Sequence, residues 1–312
     1  MRVIPVQTED GVPLHVEVHD PTDGPTDAPA TIALLHGYVL SRRLWDRQVA
    51  ALTAARPDLR VVTYDHRGHG DSGRSPSAGA SIAQLGRDLM TVLDAAAPDG
   101  PLVLVGHSMG GMTIMAAAEQ DADLFGTRVA GVALVATSSA DLDGLTFGAP
   151  PALAKRIRAA LPRVVERGAR LEDAGRPPLP MPYLRPLLFG RGAARQDVRR
   201  TVAEIRGTSL RTLGDFLPTF LEHQRTAALA VLRDLPVVLL CGDRDRLTPL
   251  AHSKAIARAL PRAQFHVYPG AGHMLQLERA DEVSRRLVDL AAALPVRPLR
   301  ATFDSYCASR NV

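Results

Sequence analysis

The residues most clearly suited to catalysis are Gly106-His107-Ser108-Met109-Gly110, a G-x-S-x-G pattern. The apolar run at 101–105 before it is typical of a buried strand, and residues 112–118 after it are typical of a helix. A serine between a strand and a helix lies on a sharp turn, with its hydroxyl projecting from the end of the sheet. The helix N-terminus adds N–H groups that stabilise an oxyanion. The pattern therefore predicts a serine nucleophile that attacks carbonyl groups.

A serine hydroxyl needs a base, usually a histidine, which is itself oriented by a carboxylate. Asp243 and Asp245 follow the predicted strand 236–241, and His273 follows the predicted strand 263–268. Loops at the carboxyl ends of parallel strands meet at one edge of the sheet, where ligands bind. Both aspartates remain candidates for the acid at this point, and His273 is one of ten histidines.

The elements that must position these residues alternate along the chain. Up to residue 140 strands alternate with amphipathic helices, and the alternation resumes at 229. Such alternation predicts right-handed crossovers and a mainly parallel sheet. Residues 141–228 contain helical patterns and no convincing buried strand, a length too great for a loop. The predicted division is a core at 1–140 and 229–294, a helical cap at 141–228 and an irregular tail at 295–312.

Local patterns give the individual elements. Asp10-Gly11 between two apolar-rich runs predicts a hairpin of strands 3–7 and 14–19. Helical spacing of apolar residues predicts the remaining segments of the core at 44–55, 82–97, 109–121, 250–260 and 281–293, and cap helices around 151–170, 193–206 and 209–228.

Composition excludes several classes of function. The 312 residues are 46% hydrophobic, which is ample for a core, and no run reaches the ~18–20 apolar residues of a membrane span. The net charge of +4 lies almost wholly on scattered arginines and aromatics are only 4%, so no nucleic-acid partner is expected. Two cysteines provide no disulfide framework, and the charged N-terminus lacks the apolar core of a signal peptide. We therefore expect a cytoplasmic protein without membrane insertion.

Several motifs together resemble the α/β-hydrolase superfamily over nearly the whole chain. These are His36-Gly37-Tyr38, Asp65-x-Arg67-Gly68-x-Gly70-x-Ser72, Gly106-His107-Ser108-Met109-Gly110-Gly111, Gly242-x-x-Asp245-x-x-x-Pro249 and Gly272-His273. Within the superfamily the chain is similar to the bacterial esterase, lactonase and cofactor-free haloperoxidase-like group with a helical cap. The fold expected from this resemblance is α/β: a mostly parallel eight-stranded sheet flanked by helices, with the cap inserted after strand 6.

The resemblance also implies roles for individual residues. Ser108 would be the nucleophile, His273 the base and Asp245 the orienting acid, because the family places its acid three residues after the glycine. The backbone N–H groups of Tyr38 and Met109 would form the oxyanion hole. No cofactor is expected.

A loop with two histidines and two aspartates, Asp65-His66-Arg67-Gly68-His69-Gly70-Asp71, offers a metal-binding composition. In the family that the chain resembles, this stretch is a structural turn in which Asp65 and Arg67 hold the backbone. We therefore expect no metal.

The expected function is that of a serine hydrolase that cleaves a carboxylic ester or lactone of a small-molecule acyl substrate. A C–C bond hydrolase, a thioesterase or a cyclase or acyl-transfer enzyme of a biosynthetic pathway uses the same triad, and a non-catalytic binding protein can share the fold. Epoxide hydrolases and haloalkane dehalogenases need a carboxylate nucleophile, so Ser108 argues against them. The sequence decides neither the substrate nor the oligomeric state.

The cap should shape the substrate pocket. Its arginines either solvate the outer faces of helices or steer an anionic substrate. The candidate pocket residues are the apolar and aromatic side chains Tyr183, Leu184, Leu188, Phe216 and Phe220.

Overall fold

A computed structural model of the chain describes residues 1–22, 30–74, 79–142, 184–292 and 294, with scattered positions between 152 and 170. Eight strands form one sheet in the order β1-β2-β4-β3-β5-β6-β7-β8. Their bounds are β1 (Arg2–Gln7), β2 (Pro13–His19), β3 (Thr31–Leu35), β4 (Arg60–Tyr64), β5 (Leu102–His107), β6 (Val129–Val135), β7 (Val237–Gly242) and β8 (Gln264–Tyr268). β3 to β8 run parallel, whereas β2 pairs antiparallel with β1 and with β4. The predicted eight-stranded, mostly parallel sheet is thus confirmed.

Helices of the described residues flank this sheet. They are α1 (Asp46–Ala55), α2 (Ile82–Ala96), α3 (Met109–Gln120), α4 (Ala122–Thr127), α5 (Leu184–Leu188), α6 (Arg195–Gly207), α7 (Leu210–Leu221), α8 (Leu250–Ala259), α9 (Leu275–Glu278) and α10 (Ala280–Ala291). Short 3-10 helices lie at Arg42–Trp45 and Ala227–Leu232.

The central strands are buried on both faces, because successive side chains of a strand point to opposite sides. In β3, Ala33 and Leu35 join one hydrophobic cluster while Ile32 and Leu34 join the other. The same alternation divides β5 between the two clusters. Helices cover both clusters, so the sequence of these strands is almost continuously apolar rather than alternating.

The edge hairpin has the alternating pattern instead. In β2, Leu14, Val16 and Val18 are buried and the residues between them are more exposed. Gly11 in the turn has a φ of 81°, a left-handed conformation that favours glycine. The Asp-Gly pair predicts the turn because a hairpin turn needs a residue with positive φ, and Gly11 is that residue.

The insertion between β6 and β7 contains α5, α6 and α7 in its described part. The predicted helix around 151–170 and the tail at 295–312 lie largely or wholly outside the described residues, and the domain boundaries stay a prediction. The predicted helix 209–228 is shorter than expected, since α7 ends at Leu221. The chain turns there because the buried His223 ring contacts the Ser138 carbonyl (3.0 Å), and the Arg225 N–H donates to the Ser139 carbonyl (2.7 Å).

Among the described residues, two ion pairs join helix α6 of this insertion to α1. Arg47 of α1 forms a two-pronged pair with Asp197 of α6, at 2.8 and 3.1 Å. Arg200 of α6 pairs with Asp46 of α1. Each helix therefore contributes the arginine to one pair and the aspartate to the other, and the two pairs hold α6 against α1.

Candidate active site

Ser108 lies on a strained turn between β5 and α3. Its φ of 52° and ψ of −115° are unusual for a residue with a side chain, and its N–H donates to the Val135 carbonyl on the neighbouring strand (2.9 Å). The turn closes so tightly that a Cβ at Gly106 would lie 2.5 Å from Gly110, and a Cβ at Gly110 would lie 2.4 Å from the Leu35 carbonyl oxygen. Both glycines of the G-x-S-x-G pattern are therefore required by space.

Asp245 and His273 meet at the same edge of the sheet. His273 Nδ1 lies 2.8 Å from Asp245 Oδ2, and both side chains are almost completely buried. Because a carboxylate accepts hydrogen bonds, Nδ1 carries the proton and Nε2 is left as the basic nitrogen. Asp243, the other candidate acid, instead accepts the Gly270 N–H (2.7 Å).

The Asp245 carboxylate is fully occupied by donors. Oδ1 accepts the backbone N–H groups of Leu247 (2.8 Å) and Thr248 (2.9 Å). Oδ2 accepts the Thr248 hydroxyl (2.8 Å) beside the histidine. The short loop after β7 thus fixes the carboxylate from three sides through its own backbone and one hydroxyl.

Main-chain bonds hold the His273 loop in place. The His273 N–H donates to the Leu188 carbonyl at the end of α5 (2.8 Å). On the other side, His107 Nε2 lies 3.0 Å from the His273 carbonyl, and the two rings are 4.8 Å apart. Burial holds the pKa of His107 well below its usual range, so the ring is neutral and Nε2 donates its proton to that carbonyl.

The predicted oxyanion loop passes directly over the serine. A Cβ at Gly37 would lie 2.6 Å from the His107 ring and 3.2 Å from Ser108 Cβ, so this backbone reaches the nucleophile only as glycine. Within the described part of the chain, no protein group accepts the N–H of Tyr38 or of Met109, the first residue of α3. Two free amides near Ser108 are suited to bind an oxygen anion.

Tyr38 also links this loop to the insertion. Its buried hydroxyl donates to the Leu213 carbonyl of α7, and its ring packs edge-on against Phe220, with 4.9 Å between ring centres. Burial raises the pKa of Tyr38 well above its usual value, so the hydroxyl keeps its proton and remains a donor.

Three buried histidines, His36, His66 and His69, pack together next to the predicted oxyanion loop. His36 Nε2 accepts the His66 N–H (2.9 Å), and the rings of His36 and His66 lie 4.5 Å apart. Burial lowers the pKa of His36 to about 4 and that of His69 to about 3, so these rings are neutral near pH 7. No group of three or more His, Cys, Asp or Glu side chains among the described residues is arranged to hold a metal ion.

The loop after β4, which carries His66 and His69, also contains Asp65 and Arg67, two residues that the resemblance expects to hold the backbone. Asp65 does so, whereas the Arg67 side chain pairs with two carboxylates. Asp65 accepts the backbone N–H groups of Arg42 (2.7 Å) and Asp71 (2.9 Å). The fully buried Arg67 makes two-pronged ion pairs with Asp88 and Asp10. These contacts tie the loop after β4 to α2 and to the edge hairpin.

A cavity of about 400 Å³ contains both Ser108 and His273 in its wall. Apart from these residues, His107, Tyr38 and Thr248, its described lining is apolar: Val39, Leu40, Met112, Leu142, Leu184, Leu187, Leu188, Ile205, Leu213, Gly214, Leu217, Pro218, Phe220, Leu221, Leu247 and Met274. Helices α5, α6 and α7 supply ten of these 16 apolar residues. Within that described lining there is no Asp, Glu, Lys or Arg.

The predicted pocket residues lie in different places. Leu184, Leu188 and Phe220 are in the cavity wall. Phe216 is not among the residues that line the cavity; it is 1% exposed and packs in the adjacent apolar cluster with Ile82 of α2 and Met112 of α3. Tyr183 lies outside the described residues.

Sequence reasoning missed Thr248 and Met112. Thr248 had a readable signal, because an aspartate followed by a hydroxyl residue three positions on is typical of a side-chain-capped turn. Met112 lies one turn into α3 from Ser108, where the helix presents its side chain to the cavity.

Comparison with known proteins gives the family. Residues 30–280 match the family model for the alpha/beta hydrolase fold. The chain therefore belongs to the α/β-hydrolase family, and it is an enzyme of that family rather than a protein that shares only isolated motifs with it.

The chain is also similar in sequence to two proteins named as ester hydrolases. The chain is 29% identical over 271 residues to a pimeloyl-[acyl-carrier protein] methyl ester esterase of Xanthomonas oryzae pv. oryzae, covering 85% of this chain and 96% of that protein. It is 27% identical over 265 residues to a monoacylglycerol lipase of Mycolicibacterium smegmatis, covering 82% and 85%.

Among solved structures, the esterase EaEST from Exiguobacterium antarcticum shares the fold with a TM-score of 0.73 at 17% identity, covering 93% of this chain and all of that one. A bromoperoxidase from Bacillus anthracis gives 0.71 at 21% identity, again with 93% and complete coverage. These two similarities show that the chain shares its fold with an esterase and with a bromoperoxidase. Across the described residues, no helix is both long and apolar enough to cross a membrane.

Proposed function

We propose that the chain hydrolyses carboxylic esters through an acyl-enzyme formed on Ser108. The observation that carries this proposal is the 2.8 Å bond between Asp245 and His273, whose ring shares one apolar cavity with Ser108 on its strained turn. An activated serine, an oriented base and free amides are the parts that acyl transfer requires.

In the first half-reaction Ser108 Oγ forms a bond to the ester carbonyl carbon while its proton passes to His273 Nε2. The carbonyl electron pair moves to oxygen, and the resulting oxyanion accepts the N–H groups of Tyr38 and Met109. Its collapse breaks the bond to the alkoxy oxygen, which leaves with the proton from Nε2 as the alcohol. Asp245 holds the ring orientation and stabilises the imidazolium between these transfers.

In the second half-reaction water gives a proton to Nε2 and its oxygen bonds to the acyl carbon. The second oxyanion occupies the same two amides. Its collapse releases the carboxylic acid, and Ser108 Oγ regains the proton from His273. A donor in such a hole contributes roughly 10²–10³-fold to kcat.

The cavity favours an uncharged, apolar acyl or alcohol group. Its volume of about 400 Å³ is at the smaller end of ligand sites. We therefore infer a preference for short and medium-length esters. The apolar wall also favours the first of the two roles considered for the cap arginines: they solvate the outer faces of helices and do not steer an anionic substrate.

The first test is covalent labelling with a fluorophosphonate, which reacts with activated serines. Wild type should be labelled at one site, and Ser108→Ala should lose both labelling and about 10⁴-fold or more of the esterase activity. Ser81→Ala, which removes a serine at the start of α2 away from the cavity, serves as the matched control. A folded wild type that is not labelled would contradict the proposal.

The second test compares p-nitrophenyl esters of equal length with a neutral or a carboxylate-terminated acyl chain. Because an unpaired carboxylate in an apolar cavity costs several kcal/mol, the neutral ester should have a kcat/KM about 100-fold higher. Along a neutral series, activity should peak at medium chains and fall for palmitate. Preference for the anionic ester would support steering by the cap instead. Labelling without turnover of any ester would favour a C–C hydrolase or a cyclase.

A further inference from the structure

Glu278, the last residue of α9, binds two loops at once. Its Oε1 accepts the N–H of Gly272, the residue directly before His273 (2.9 Å). Its Oε2 accepts the N–H of Gly190, two residues after the end of α5 (2.8 Å). One carboxylate therefore connects the loop of the predicted base to the insertion that roofs the cavity.

The two loops meet so closely that only glycine fits at the contact. A Cβ at Gly190 would lie 1.9 Å from the Gly270 carbonyl oxygen, and a Cβ at Gly272 would lie 2.6 Å from the Gly190 nitrogen. Alongside, the Leu188 carbonyl accepts the N–H groups of His273 (2.8 Å) and Met274 (3.2 Å). The contact is thus a small backbone interface with Glu278 at its edge.

This arrangement needs an ionised carboxylate. Both partners are N–H donors, and a carboxylate is the side chain that accepts on two oxygens without carrying a donor. Partial burial raises the pKa of Glu278 above its usual value, against the effect of the two amides and of Arg279. An isosteric glutamine has the same reach but must point its NH₂ at one of the two amides.

We propose that Glu278 is a positioning residue for His273, which clamps the histidine loop to the cap segment 188–190 and so sets the approach of the imidazole to Ser108. The inference rests on the proposed function, because it assumes that His273 is the base. Glu278 touches neither substrate nor reacting atoms and acts through the loop.

The test is Glu278→Gln, followed by rate and endpoint of fluorophosphonate labelling and by ester kinetics per labelled site. If His273 loses its position, the rate of labelling and kcat should each fall about tenfold, while all of the protein is still labelled at the endpoint. If Glu278 only stabilised the fold, the opposite would be seen. A smaller fraction of the protein would be labelled, and the molecules that remain folded would be labelled at the normal rate. Glu282→Gln is the control, because Glu282 lies on α10 and its side chain makes no hydrogen bond within the described part of the chain. Its labelling rate and kcat should stay within twofold of wild type.

If Glu278→Gln yields no folded protein, Glu278→Asp keeps the charge but shortens the side chain by one methylene, and the same slowing with complete labelling is expected. A Glu278→Gln protein that labels and turns over like wild type would overturn the inference while leaving the proposed function intact. Absence of labelling in wild type would instead remove the proposed function itself. The two failures are therefore distinguishable.

Discussion

Thr248 donates its hydroxyl to the Asp245 oxygen that His273 also binds, at 2.8 Å in both cases. The same hydroxyl lies 3.4 Å from His273 Nδ1, so it fills the corner between acid and base. A carboxylate held by several donors keeps its position when the imidazole becomes charged. The Thr248 hydroxyl therefore contacts both the acid and the base of the proposed triad.

We predict that Thr248→Val lowers kcat about tenfold, because valine keeps the shape but removes one hydrogen bond to a charged group, worth about 1.5–3 kcal/mol. Steady-state ester hydrolysis measures the effect. Thr248→Ser keeps the hydroxyl and should retain most of the activity. Equal kcat values for the valine and serine variants would mean that the hydroxyl is irrelevant to the site.

Individual residues also show how far the sequence reaches. The glycines around Ser108 are a local signal, since their absence of Cβ is required within a few residues of chain. The choice of Asp245 over Asp243 came from resemblance, and the structure places Asp245 on His273 and Asp243 on a backbone amide. Glu278 has no such signal, because its partner Gly190 is 88 residues away.

Elements were predictable where their hydrophobic pattern is simple. The buried strands β3 and β5 are nearly continuous apolar runs, and the amphipathic α2 begins where Ser81 caps the Gln84 N–H (3.1 Å). In α7 the pattern predicts a helix but not its rotation. Phe216 and Phe220 are one turn apart and were both expected in the pocket; Phe220 is among the residues that line the cavity, and Phe216 lies in the adjacent apolar cluster. The rotation depends on packing against α2 and α3, which lie far away in sequence.

The two ion pairs between α1 and α6 give a matched comparison. Asp197 is almost buried, so Arg47→Gln leaves a carboxylate with poor access to water, and we expect a loss of about 2 kcal/mol in the free energy of unfolding. The Arg200–Asp46 pair is half exposed on both sides, and Arg200→Gln should change stability by at most about 0.5 kcal/mol.

Urea unfolding of both variants measures these differences. Equal losses for the two substitutions would mean that burial of Asp197 does not control the strength of this attachment. High salt should weaken the exposed pair more than the buried one, because surface charges are screened.

The whole molecule carries an unusual load of buried neutral histidines. Burial lowers the pKa of His36 and His223 to about 4 and that of His69 to about 3. In the unfolded chain these rings bind protons near pH 6.5. Between that pH and about 4 the unfolded state therefore holds more protons, and the native state loses stability as the pH falls.

We expect each of these histidines to cost up to about 2 kcal/mol at pH 5 relative to pH 7.5. The raised pKa values of Glu204 and Glu278 act in the opposite direction and offset part of the loss. Urea unfolding at the two pH values measures the net effect. His223→Gln should shrink the difference, whereas a stability independent of pH over this range would contradict the expectation.

Tyr38 binds the insertion through the main-chain carbonyl of Leu213 rather than through a side chain. Any residue type at position 213 supplies that same acceptor, so the link between the oxyanion loop and the cap places little restriction on the amino acids that face the cavity. Positions 213 and 217 can therefore be exchanged to change which esters are accepted, while Tyr38 keeps both its hydrogen bond to the main chain and its packing on Phe220. In the proposed function, the residues that select the substrate are thus separate from the residues that cleave it.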